Sequence, residues 1–136
     1  MYLENINSPK DVKKLKIEEL KKLSDEVRDA VINRISKAGG HKGPNLGVVE
    51  LTVCYHYVFD SPEDKLVFDV SHQCYPHKIL TGRKEAFTND ELFSSVTGFT
   101  NPDESEHDFF HGRAYVNVRF SRVRSCESKG YKRRKV

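Results

Sequence analysis

The chain of 136 residues has no tryptophan, one methionine and three cysteines. Cys54, Cys74 and Cys126 form no CxxC pair and are odd in number. That argues against a disulfide framework or a zinc site and fits a reducing, cytoplasmic setting. No run of about 18 apolar residues is present, which excludes a membrane-spanning helix. The opening, MYLENINSPKDVKK, lacks the apolar segment of a secretory signal. GxSxG, Walker-type and GxGxxG strings are also missing, so the common nucleophile and nucleotide signatures do not apply. The histidines show no HxH spacing, and no metal ligand is assigned.

What is present is a chain sized for one domain. Its formal charge of +3 averages two unlike pieces. Residues 112–136 hold nine Lys/Arg and one acid, Glu127, whereas residues 1–111 hold 14 Lys/Arg and 19 Asp/Glu. The body is mildly acidic, and the basic character sits in the tail. Such a tail suits a nucleic-acid or membrane surface, or else does not belong with the body.

Along the body, Ser8-Pro9-Lys10-Asp11 reads as a helix start. Ile17, Leu20, Leu23, Val27, Ala30, Val31 and Ile35 recur at spacings of three and four and predict an amphipathic helix over 17–37. Gly39-Gly40 ends it. After the loop 41–47, with Asn45 placed to cap, a helix over 47–59 is apolar nearly all round and should be buried. Residues 66–70 form a short apolar run bounded by turns, read as a buried strand. Residues 84–111 are loop-rich. Helix, loop, helix, strand and polar loop predict an α/β layer, with ligands beyond the strand ends.

Two loops carry the chemistry. Glycines flank His41 in 39–45, allowing a ligand close to the backbone, and the following helix start offers N–H groups to an anion. His72 lies just past the expected strand, where an imidazole can donate to phosphate oxygens or move protons near neutral pH. The plainer reading of each is a surface histidine. Cys74, between His72 and His77, is read as a small buried core residue rather than a nucleophile.

Longer strings say more. GGHKGPNLGVVELTVCYHYVFDSPEDKLVFDVSHQCYPHKILTGRKEAF (39–87), INSPKDVKKLKIEEL (6–20) and TGFTNPDESEHDFF (97–110) resemble the N-terminus of the 1-deoxy-D-xylulose-5-phosphate synthase family. The resemblance covers residues 1–111, and DVSHQCYPHKILTGR (69–83) is its most specific block. It implies part of a three-layer α/β thiamine-diphosphate-binding domain, with a mostly parallel sheet and flanking helices. It also implies a homodimer, thiamine diphosphate, Mg²⁺, and condensation of pyruvate with glyceraldehyde 3-phosphate with loss of carbon dioxide. His41 matches the family histidine that faces substrate and assists proton transfer, a catalytic role. His72 matches the one that contacts the cofactor. Tyr75, Pro76, His77, Lys78, Thr81, Gly82 and Arg83 match positions that shape the site. Lys42-Gly43-Pro44 and Ser71, the latter where the family has glycine, mark a divergent subgroup. Another transketolase-type carboligase is the alternative enzyme.

After Phe110 the resemblance stops. Where the family continues with a Gly-His-Thr/Ser segment, this chain reads HGRAYVNVRFSRVRSCESKGYKRRKV. If one base has been inserted directly after the His111 codon, dropping it restores Val-Gly-His-Thr and a small-residue helix. Residues 112–136 are therefore read as an out-of-frame, disordered tail that calls for no nucleic-acid partner, a nucleic-acid-binding module being the other reading. The family's metal-holding Gly-Asp-Gly and Asn are not in the sequence. The chain is expected to be an inactive N-terminal fragment.

Overall fold

A computed structural model describes residues 1–111; the expected tail, 112–136, lies outside the described residues. The regular elements are helical: α1 (Pro9–Val12), α2 (Ile17–Ala38), α3 (Lys42–Leu46), α4 (Val49–Val58), α5 (Tyr75–Lys78) and α6 (Glu85–Thr88), with 3-10 turns at Leu3–Asn5 and Asp90–Ser95.

The sequence explains the starts. Asp11, three residues into the first turn, accepts from the Ser8 amide at 3.0 Å, and Glu19 accepts from the Lys16 amide at 2.7 Å. Both carboxylates satisfy amides that a helix start leaves free. α2 then buries Leu20, Leu23, Val27, Ala30 and Val31 on one stripe. Full burial of Leu23 or Val27 contributes roughly 1.5–3 kcal/mol each. Ile17, counted in that stripe from spacing, is 71% exposed, because the first residue of the helix projects past the core.

α2 packs against α4 and α6, and a buried arginine fastens it to α6. Arg34 donates to the carbonyls of Ala86 and Val96, both at 3.1 Å, with its guanidinium beside the Tyr75 and Phe87 rings. Ile79–Arg83 is a π-type turn broken at Gly82, whose φ is +94°. A Cβ there would sit 3.0 Å from the Asn7 carbonyl oxygen, so glycine is required on both counts.

Two expectations change. α4 buries only Val49, Thr52, Val53 and His56, while Leu51 and Val58 are more than half exposed. Its outer face and residues 66–69 line an open apolar groove of about 390 Å³. Residues 66–70 form no strand, and only Leu66 among them is buried. A strand needs a neighbour to complete its hydrogen-bond ladder, and no described residue supplies one. The α/β sheet is thus not formed among the described residues, which make a helical layer. No helix among them is long and apolar enough to cross a membrane.

Candidate active site: two histidine loops joined by an asparagine

His41 stands at the start of α3, immediately after Gly40. Gly40 has φ +135°, and a Cβ on it would meet the Tyr75 hydroxyl at 2.9 Å. The glycine therefore lets this loop lie against Tyr75. His72 follows a strained turn: Val70 and Ser71 have φ of +57° and +63°. Left-handed φ at two successive residues that carry a Cβ needs compensation. Here the Ser71 hydroxyl bonds the Phe68 carbonyl (3.2 Å) and the Thr100 hydroxyl (2.7 Å), and Thr100 bonds the Phe110 carbonyl (2.8 Å).

The structure brings the two sequence-predicted histidines together. Their ring centroids are 5.2 Å apart, edge to face, with Phe99 6.4 Å beyond His41. His41 is exposed and His72 partly so. Two imidazoles presented side by side can donate to an anionic ligand or pass a proton.

Sequence reasoning missed what joins them. Asn45, expected to cap the next helix, is instead fully buried within α3. Val48 occupies the cap position of α4. The Asn45 amide nitrogen donates to the carbonyls of His41 (2.7 Å) and His72 (2.9 Å), and its oxygen accepts from the Tyr75 amide (2.9 Å). The only signal in the sequence was its place in the same loop as His41.

Behind this site lies a second, buried histidine pair. His56 and His77 stack with centroids 5.1 Å apart and share a 2.9 Å bond. His77 Nε2 donates to Asp108 at 3.1 Å, so its Nδ1 is the acceptor from His56. Arg83 grips the same carboxylate at 2.7 and 2.9 Å. Burial pushes both imidazoles below their usual pKa, against the pull of Asp108 on His77. Burial alone would raise the Asp108 carboxyl, but the bonds from Arg83 and His77 hold it well below the usual range. Lys78, also buried, pairs with Glu104 at 2.5 Å. These motif residues brace the loops from within. Cys74 is fully buried, its thiol pushed up to about 12 by burial, which excludes a ready nucleophile.

One spacing escapes the metal reading of the sequence. His107 and His111 stand four apart, as a helical ligand pair would, but no helix forms there. His107 instead bonds Ser61 at 2.8 Å. Among the described residues no group of three His, Cys, Asp or Glu is placed to hold a metal.

Both histidines lie in the block 39–87 that carries the family resemblance. The family model described as 1-deoxy-D-xylulose-5-phosphate synthase matches residues 3–121. The synthase of Dictyoglomus turgidum is 47% identical over 137 residues, covering 97% of this chain and 22% of its own length. That of Thermomicrobium roseum is 53% identical over 111 residues, covering 81% and 18%, and that of Chlamydia pneumoniae 54% over 114 residues, covering 82% and 18%. The chain belongs to the 1-deoxy-D-xylulose-5-phosphate synthase family, and it spans about a fifth of the length of these curated relatives.

Proposed function

We propose that this chain supplies the histidine-bearing N-terminal part of a 1-deoxy-D-xylulose-5-phosphate synthase site, and that alone it does not turn over. The reaction is condensation of pyruvate with glyceraldehyde 3-phosphate, releasing carbon dioxide, in isoprenoid precursor, thiamine and pyridoxal synthesis. The observation that carries the reading is the convergence of His41 and His72 inside the family-matched block.

Thiamine diphosphate, if bound, would supply the carbanion chemistry of the condensation. The donor chemistry of this chain fits its anionic end: His72 has an accessible imidazole beside an open loop. In this reading His72 contacts the cofactor and orients it. His41, the more exposed of the two, faces substrate and moves a proton at its imidazole. Asp108, Arg83, His77 and Lys78 keep the supporting loop rigid. The Mg²⁺ of the family would be held by the Gly-Asp-Gly and Asn that this chain does not contain, and no step is derived through it.

The finer architecture belongs to the same proposal. Residues 66–70 become a strand of a mostly parallel sheet when the remainder of the domain, and a second copy in a homodimer, complete it. The open groove beside α4 is then covered. We place the protein in the cytoplasm, with neither membrane nor nucleic acid as partner. Residues 112–136 are read as the family segment out of frame; relatives matched over shorter spans being the more identical is the direction this expects. Resequencing the coding DNA across the codons for Phe110–Tyr115 tests it, and absence of any restoring single-base change would refute it.

The function is tested by grafting residues 1–111 in place of the matching segment of the Thermomicrobium roseum relative. The expected result is synthase turnover by the chimera and none by the 136-residue chain. A folded chimera that binds thiamine diphosphate without turnover would overturn the reading.

A further inference from the structure

We propose that Asn45 is a positioning residue: its carboxamide sets the spacing of His41 and His72. The proposal rests on the reading that these two histidines form one site.

Nothing else among the hydrogen bonds given above ties both histidine segments to one group. His41 and His72 are 31 positions apart, on loops that follow a glycine pair and a strained turn respectively. Neither imidazole is packed into the core, so ring contact alone would not hold the spacing. The Asn45 side chain is fully buried and uses both N–H donors and its oxygen, each within 2.7–2.9 Å of a backbone partner. A buried amide with its donors satisfied by two carbonyls defines their separation, because releasing either leaves a polar group unpaired away from water. The third bond, to the Tyr75 amide, fixes the clamp to α5 and so to the buried His56–His77 pair behind it.

Chemistry also tells which part of Asn45 matters. Aspartate at this position keeps an oxygen for the Tyr75 amide but has no N–H to give, and it faces two carbonyl oxygens with negative charge. Asn45→Asp therefore removes the clamp and leaves the attachment to α5. Alanine removes all three bonds.

The test uses the purified 136-residue chain with labelled histidine rings and reads ring-to-ring nuclear Overhauser contacts. The His56–His77 contact serves as the internal control for folding. The expected result for both N45D and N45A is loss of the His41–His72 contact with the His56–His77 contact retained. Retention of the His41–His72 contact in N45D would overturn the proposal. So would loss of both contacts in both variants, since Asn45 would then serve the whole fold rather than the site. If N45A alone loses both, N45D decides. The readout needs no cofactor, so an inactive chimera would count against the synthase reading and leave the positioning of the two loops standing.

Discussion

The molecule contains two histidine pairs of nearly equal spacing, 5.2 and 5.1 Å between ring centroids, and opposite character. His41 and His72 meet edge to face on glycine-bordered and strained loops, open to solvent. His56 and His77 stack inside the core, wired to Asp108 and Arg83. The same side chain at the same distance is thus a candidate reagent in one place and a strut in the other. Exposure and hydrogen-bond partners separate the two roles, not spacing.

The largest contrast is expected in turnover. In the chimera, His41→Ala or His72→Ala should lower kcat by roughly 10²–10⁴-fold. In stability the order reverses. His77→Ala should cost about 3 kcal/mol in urea unfolding, since it opens a cavity and strips bonds from His56 and Asp108. His41→Ala and His72→Ala should stay within about 0.5 kcal/mol of the parent. Equal costs at positions 72 and 77 would erase the distinction between the pairs.

A pH titration sharpens it. The buried imidazoles have lowered pKa values in the folded state, so the unfolded chain takes up their protons first. Their contribution is full above about 6.5, the ordinary histidine value, and is lost as pH falls below it. Between pH 7.5 and 5.5 the urea midpoint should therefore fall steadily. Asp108 adds a further loss only below about pH 4, where the carboxyl of the unfolded chain takes up a proton before the depressed carboxyl of the folded state does. A urea midpoint flat across pH 7.5–5.5 would contradict the buried, neutral assignment. The smallest effect concerns the turn before His72. Ser71→Ala should cost about 1 kcal/mol, by losing the Thr100 bond while keeping the strain, and Ser71→Gly should be nearly neutral because relief of strain offsets the lost bond. Equal melting shifts for the two would show that φ at 71 carries no strain.

Much of this was legible in the chain. The stripe from Leu20 to Ile35 placed α2 within a residue at each end, since periodicity is a local signal. The two glycine-rich and polar loops marked His41 and His72, and the motif tied them to one family. Three things were not legible. The role of Asn45 depends on a contact with a segment 27 residues away, and Asn in a Gly/Pro loop reads equally as a cap. The half-exposed state of α4 and the missing strand at 66–70 share one cause: an apolar pattern records what a segment can bury, not whether its partner is among the described residues. His56 fell within an apolar helix and His77 within the polar loop, and neither offered a sign of their mutual bond.

The most direct measurement is the turnover of the chimera bearing residues 1–111, compared with its H41A and H72A forms at matched melting temperature. The account predicts an active chimera and a loss of at least about a hundredfold in each variant. Full activity in both folded variants would contradict the claim that this pair, rather than the buried one, faces the chemistry.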